Sequence, residues 1–171
     1  MTKEQQMFCF QCEQTAFGTG CTGGAGVCGK SSAEAGLQDK LTGALIGLAR
    51  TCQTAVPTAQ TYRVILEGLF TTVTNVNFNT ETTQVMIDKV HAESASLSDS
   101  PADDYDMSGL WNADEDIRSL KSLILFGMRG MAAYAYHALM LGKSSDELGA
   151  FFIKGLSALS EDWGMDELLP I

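Results

Sequence analysis

Four cysteines, Cys9, Cys12, Cys21 and Cys28, crowd into the opening run MTKEQQMFCFQCEQTAFGTGCTGGAGVCGK, which also holds six of the seventeen glycines. No helical period is sustained there. A chain that wraps a compact inorganic body must adopt positive φ and bring its backbone close, and glycine permits both. Residues 1–30 therefore read as a loop-built site.

Thiols at this density have few uses. Met1 to Gln6 are polar and lead to cysteine with no apolar leader segment, so a cytoplasmic, reducing location is expected. There disulfides are disfavoured and metal ligation or redox chemistry is favoured. Three chemistries compete. Iron–sulfur clusters take thiolates four at a time, and a CxxC turn such as Cys9–Cys12 aims two sulfurs at one centre. A zinc site also takes four, usually as two tight CxxC knuckles, whereas here six residues separate Cys21 from Cys28. A redox disulfide at Cys9 and Cys12 calls for a thioredoxin-like βαβ surround that the chain does not show.

Charge narrows the partners. Twenty-one Asp and Glu against eleven Lys and Arg give a net charge of −10, a field that repels nucleic-acid phosphates. The longest apolar runs, near Gly43–Ala49 and Leu123–Met128, fall far short of the roughly 20 residues that cross a bilayer.

From Ser31 onward the pattern is helical, and Ala, Leu and Met with only 8% aromatics favour close-packed helices. Ser31 or Ser32 caps a first helix running to about Cys52, with Leu37, Leu41, Leu45 and Leu48 on one stripe. Pro57 opens a second, carrying Tyr62, Ile65, Leu66, Leu69 and Val73, which Asn75 to Asn79 ends as a turn. A third spans Thr80 to about Leu97 through Val85, Met86, Val90 and His91. The acidic stretch from Ser98 to Asp116 reads as a surface linker. Asn112 is expected to cap a long helix whose apolar path is Ile117, Leu120, Ile124, Met128, Met131, Ala135 and Leu139, stopping at Gly142. Ser144 and Glu147 have capping-box spacing for a last helix with Leu148, Phe151, Phe152, Leu156 and Leu159. The expectation is an all-α bundle, residues 31–171, joined to the cysteine loop as one domain.

Other candidates have plain readings. Cys52 reads as a small buried hydrophobe, His91 and His137 as surface or packing residues, and the methionines Met128, Met131 and Met140 as core filler. Gly127 and Gly130, flanking Arg129, would permit close helix contact. The acidic stretch could dock a basic redox partner. One of Phe8 and Phe10, which alternate with Cys9, is placed to shield a cluster from water.

The residues also resemble a known family. MFCFQCEQT, then GTGC and GVCGK, are similar to the N-terminal motif of the hybrid cluster proteins, also called prismane proteins or hydroxylamine reductases. LQDKL, EGLFTTVTNVNF and NADEDIRSLKSLILFGMRGMAAYAYHA extend the resemblance through the family's N-terminal helical domain. The resemblance implies that Cys9, Cys12, Cys21 and Cys28 bind a [4Fe–4S] cluster, or a [2Fe–2S] cluster as in one class of the family, which relays electrons to a second iron–sulfur–oxygen cluster. The eight residues between Cys12 and Cys21 resemble the first class and the six between Cys21 and Cys28 the second, with [4Fe–4S] the preferred reading. The ligands of the family's hybrid cluster come from later domains, and no cysteine follows Cys52 here. The implied role is thus electron transfer to a chain carrying a catalytic site, not hydroxylamine reduction alone. The rival reading is a metal-stapled module that binds a partner or a second copy of itself.

Overall fold

The computed structural model describes residues 7–9, 11–12, 20–73 and 76–171, and among these it forms helices with no strand beyond two isolated backbone bridges near the N-terminus. The fold is all-α.

Helix α1 (Ser32–Thr51) starts where the Ser31 hydroxyl accepts from the Glu34 amide, satisfying one of the orphan donors of a helix start. Every residue from Leu41 to Ala49 is buried, so these two and a half turns are enclosed all round, as a central helix must be. It packs on α3 (Thr80–Leu97) and on α6 (Asp146–Ser160). Helix α2 (Ala59–Thr71) packs on α3, α5 (Glu115–Met140) and α6. Leu41, Leu45, Leu48, Ile65, Leu69, Val90, Leu125, Phe152 and Leu156 meet in one core, each contributing about 1.5–3 kcal/mol of burial.

Several expectations shift in detail. Thr58, just after Pro57, is the true cap of α2, in a reciprocal box with Thr61. Asn79 caps α3 by accepting from the Glu81 and Thr82 amides, while residues 74 and 75 of the expected turn lie outside the described set. On α3 Ile87 rather than Val85 faces inward. The last long helix is capped by Ser145, not Ser144: its hydroxyl accepts from the Leu148 amide at 3.2 Å.

The stretch from Ser98 to Asp116 is less of a surface linker than its charges imply. It holds a short helix, α4 (Ser108–Trp111), with Met107, Leu110 and Trp111 buried in the core. Its acidic side chains face out while its backbone is strapped to α1. The Tyr105 amide donates to the Gly43 carbonyl at 3.0 Å, and a Cβ on Gly47 would lie 3.0 Å from the Asp103 carbonyl oxygen. Asn112 ends α4 instead of starting α5, whose N-terminal residue is preceded by Asp114.

Helix α5 departs most. Its buried face runs through Lys121, Leu125, Met128, Arg129 and Ala132, so the stripe is rotated from the expected one toward two cationic side chains. Ile124, Ala135 and Leu139 remain at the core margin, but Met131 and Met140 are exposed, so only Met128 is core filler. Gly127 and Gly130 have open space where a side chain would be; close helix contacts are made instead at Gly68 against Leu45, Gly149 against Tyr62 and Gly155 against Met128. The helix stops as expected: Gly142 takes φ +71°, and Lys143 donates to the Ala138 carbonyl, a left-handed C-terminal cap. A further short helix, α7 (Met165–Leu168), buries Leu168.

Candidate metal centre

The cysteine loop is built by two backbone bridges. Cys9 and Cys21 exchange both amide–carbonyl bonds, at 3.0 and 2.8 Å, and Ala25 pairs with Ser31. A hydrogen-bonded antiparallel pair holds its Cα atoms about 5.5 Å apart with both side chains on one face, so the Cys9 and Cys21 thiols are neighbours. Beyond them, Gly26 donates to the Lys30 carbonyl and Gly29 to the Gly26 carbonyl, turning the chain around Cys28; a Cβ on Gly26 would lie 3.4 Å from the Cys28 sulfur. Gly20 and Gly29 have φ of +99° and +88°, and a Cβ on Gly20 would meet the Phe8 ring at 2.9 Å. Gly20 needs glycine for both its φ and the close ring, and Gly29, with open space around it, for its φ alone.

Three contacts seat the loop on the bundle. Met7 and Cys21 pack with Ala35 of α1. The Phe8 ring tilts against Trp111 at 5.6 Å between centroids. Lys30, 1% exposed, reaches inward, donating to Gln38 Oε1 of α1 at 2.6 Å and to Gln11 Oε1, between Cys9 and Cys12, at 3.2 Å. Phe10 and residues 13–19, which include most of the first long spacer, lie outside the described residues.

All five cysteines are free. Among the described residues no group of three or more Cys, His, Asp or Glu side chains converges closely enough to hold a metal ion. What the structure brings together is the Cys9–Cys21 pair, with Cys12 and Cys28 on the same folded loop.

Buried charges surround the Cys9 end of the loop. Burial pushes the Cys9 thiol above its ordinary value; the Lys30 charge and a backbone hydrogen bond from Gln11 pull it back, and Asp39 and Cys21 add to the rise. Underneath lies Arg129 of α5, 3% exposed and donating to two hydroxyls, Thr72 from Nε and Thr42 from Nη2, each at 3.0 Å. Burial brings its guanidinium down to about 10, while Asp39 and Cys9 oppose that fall. Asp39 accepts from the Trp111 indole at 3.3 Å, and burial drives its carboxyl up to about 6. Among the described residues neither Lys30 nor Arg129 has a carboxylate within ion-pair distance. Cys9, with Cys21 beside it, lies near two buried cations, and the four free thiols of the loop are a donor chemistry suited to a metal–thiolate group of net negative charge.

The remaining candidates are peripheral. Cys52 ends α1 at the core margin, its thiol raised to about 11 by burial and by Glu93. His91 is exposed beside Asp104 at 2.9 Å, and His137 is exposed with its ring edge toward Phe70. Sequence reasoning passed over Lys30, Gln11, Gln38, Asp39 and Arg129. Lys30 follows Cys28 by two positions and Gln11 lies inside the CxxC, so proximity in the chain was the available signal; for Arg129 there was none.

The fold and site together define the class: a helical bundle that carries a cysteine-bearing N-terminal loop seated over buried cations. The chain matches the Prismane/CO dehydrogenase family over residues 7–169, and it belongs to that family. It is similar to proteins called hydroxylamine reductase from Desulfitobacterium hafniense strain Y51 (36% identity, 91% of this chain), Bacteroides thetaiotaomicron (37%, 96%) and Methanocella arvoryzae (38%, 90%). The alignments cover 34%, 35% and 34% of those relatives, so the chain spans about a third of their length. It corresponds to their N-terminal part. Among the described residues no helix is long and apolar enough to cross a membrane.

Proposed function

We propose that this chain is an electron-relay domain whose Cys9, Cys12, Cys21 and Cys28 hold one iron–sulfur cluster, [4Fe–4S] by preference and [2Fe–2S] as the alternative. The observation that carries the reading is the loop itself: four free thiols, two of them paired across a backbone bridge, over a buried ammonium. An iron–sulfur cluster supplies one-electron storage. The protein's part is electrostatic and steric. Lys30 and Arg129 offset negative charge, and Phe8 on Trp111 covers the Cys9 side of the loop with apolar surface, which limits water near the sulfurs. Residues 1–30 and 31–171 act together as one domain in a cytoplasmic, reducing setting. The partners are a redox donor and a chain or segment carrying a catalytic site of the hydroxylamine-reductase kind.

Protein purified anaerobically is expected to be brown, with iron and acid-labile sulfide in about equal amounts and both lost in Cys→Ser variants of the four positions. Colourless protein with one zinc per chain would instead establish a metal-stapled binding or self-assembly module. The exposed apolar residues of α5, Leu123, Phe126 and Tyr134, are the observation in that reading's favour.

A further inference from the structure

We infer that Lys30 is a potential-setting cation of the cysteine loop, held in place by a relay through Gln38 to Glu34; the assignment rests on the cluster reading above. Lys30 lies two residues beyond Cys28, yet its side chain is withdrawn from water and turned into the molecule. Its ammonium joins the two halves of the site, bonding Gln11 within the first cysteine pair while its own backbone closes the turn around Cys28. Among the described residues the cation is not matched by a carboxylate directly. Gln38 accepts from Lys30 on Oε1 and donates from Nε2 to Glu34 Oε1 at 3.0 Å, where Thr83 of α3 also donates at 2.9 Å. Glu34 is itself 1% exposed, and its other oxygen has no partner among the described residues.

An isolated buried ammonium is costly, and a direct buried ion pair would cancel its field. Interposing a glutamine avoids both: the amide spaces the charges, so the positive end is presented to Gln11 and Cys9 and the negative end is set back against α3. Residues built this way raise the affinity of the loop for negative charge. A cluster that accepts one electron gains one unit of negative charge, so Lys30 favours the reduced form and Glu34 opposes it from farther away.

The test is redox potentiometry of the loaded full chain, followed by visible and paramagnetic resonance spectra, for wild type, Lys30→Met and Glu34→Gln. Lys30→Met is expected to disfavour reduction about tenfold, a fall of about 59 mV for one electron. Glu34→Gln, which can keep the accepted hydrogen bonds while losing the charge, is expected to favour reduction, about two- to threefold. A purely structural role would alter iron content or melting temperature without shifting the two potentials in opposite directions. If Lys30→Met fails to load iron, the Glu34→Gln shift decides alone: a rise supports the assignment and no change overturns it. Wild-type protein that holds no cluster refutes the function reading and this assignment with it, whereas loaded variants at the wild-type potential refute this assignment only.

Discussion

Gly127→Ala and Gly43→Ala should move stability in opposite directions, although both replace a glycine inside a long helix by the best helix former. At Gly127, in the middle of α5, nothing lies within 4 Å of the position a Cβ would take. Only the backbone and propensity terms change there, a gain of about 0.5–1 kcal/mol. At Gly43 the new methyl would collide with the Tyr105 carbonyl oxygen, and that oxygen belongs to the strap whose amide is bound to the Gly43 carbonyl. A backbone atom cannot rotate away as a side chain can. Overpacking of this kind costs about 1–3 kcal/mol, which outweighs the helix gain. At about 2–4 °C per kcal/mol for a chain of this size, Gly127→Ala should melt about 1–4 °C higher and Gly43→Ala several degrees lower, read by far-ultraviolet circular dichroism. A Gly127→Ala variant that melts lower would mean this face of α5 is covered, and the account of the helix would be wrong.

Other outcomes follow from single contacts. Asp39→Asn should flatten part of the pH dependence of stability: a carboxyl raised to about 6 from 3.8 binds its proton more tightly when folded, so its contribution is fully present below the unfolded value and lost as pH rises through about 6. The loss is at most about 3 kcal/mol, measured as the difference between wild-type and variant urea midpoints from pH 4 to 7. Ser31→Ala, which removes the α1 cap next to the cysteine loop, should cost about 1 kcal/mol in the same assay. Cys52→Ser should keep its full iron and sulfide content, and Cys52 should alkylate slowly in native protein, because its thiol is raised to about 11; loss of iron in this variant would count it as a ligand.

The bundle was largely readable because its helices announce themselves locally. Ser31, Asn79 and Gly142 mark ends by hydrogen-bond chemistry confined to a few residues, and Leu41, Leu45 and Leu48 keep the helical period. Reading failed where a long-range partner outweighed local character. Arg129 and Lys121 look like solvent-facing charges on α5, yet the Thr42 and Thr72 hydroxyls and the Glu161 carbonyl receive them inside, and that rotates the whole stripe. The acidic run from Asp99 to Asp116 concealed Met107, Leu110 and Trp111. At the candidate centre the thiols were evident from spacing, while the Lys30–Gln38–Glu34 relay depends on residues 8 and 4 positions apart whose roles appear only once α1 is placed against the loop.

The central claim is that the opening thiols carry a redox-active iron–sulfur centre. Its most direct measurement is the electron paramagnetic resonance spectrum of anaerobically purified chain before and after dithionite. One-electron reduction is expected to change the paramagnetic signal while the visible absorption bleaches, both effects vanishing in variants of Cys9 or Cys21. Protein that stays colourless and silent before and after dithionite, with zinc as its metal, would contradict it.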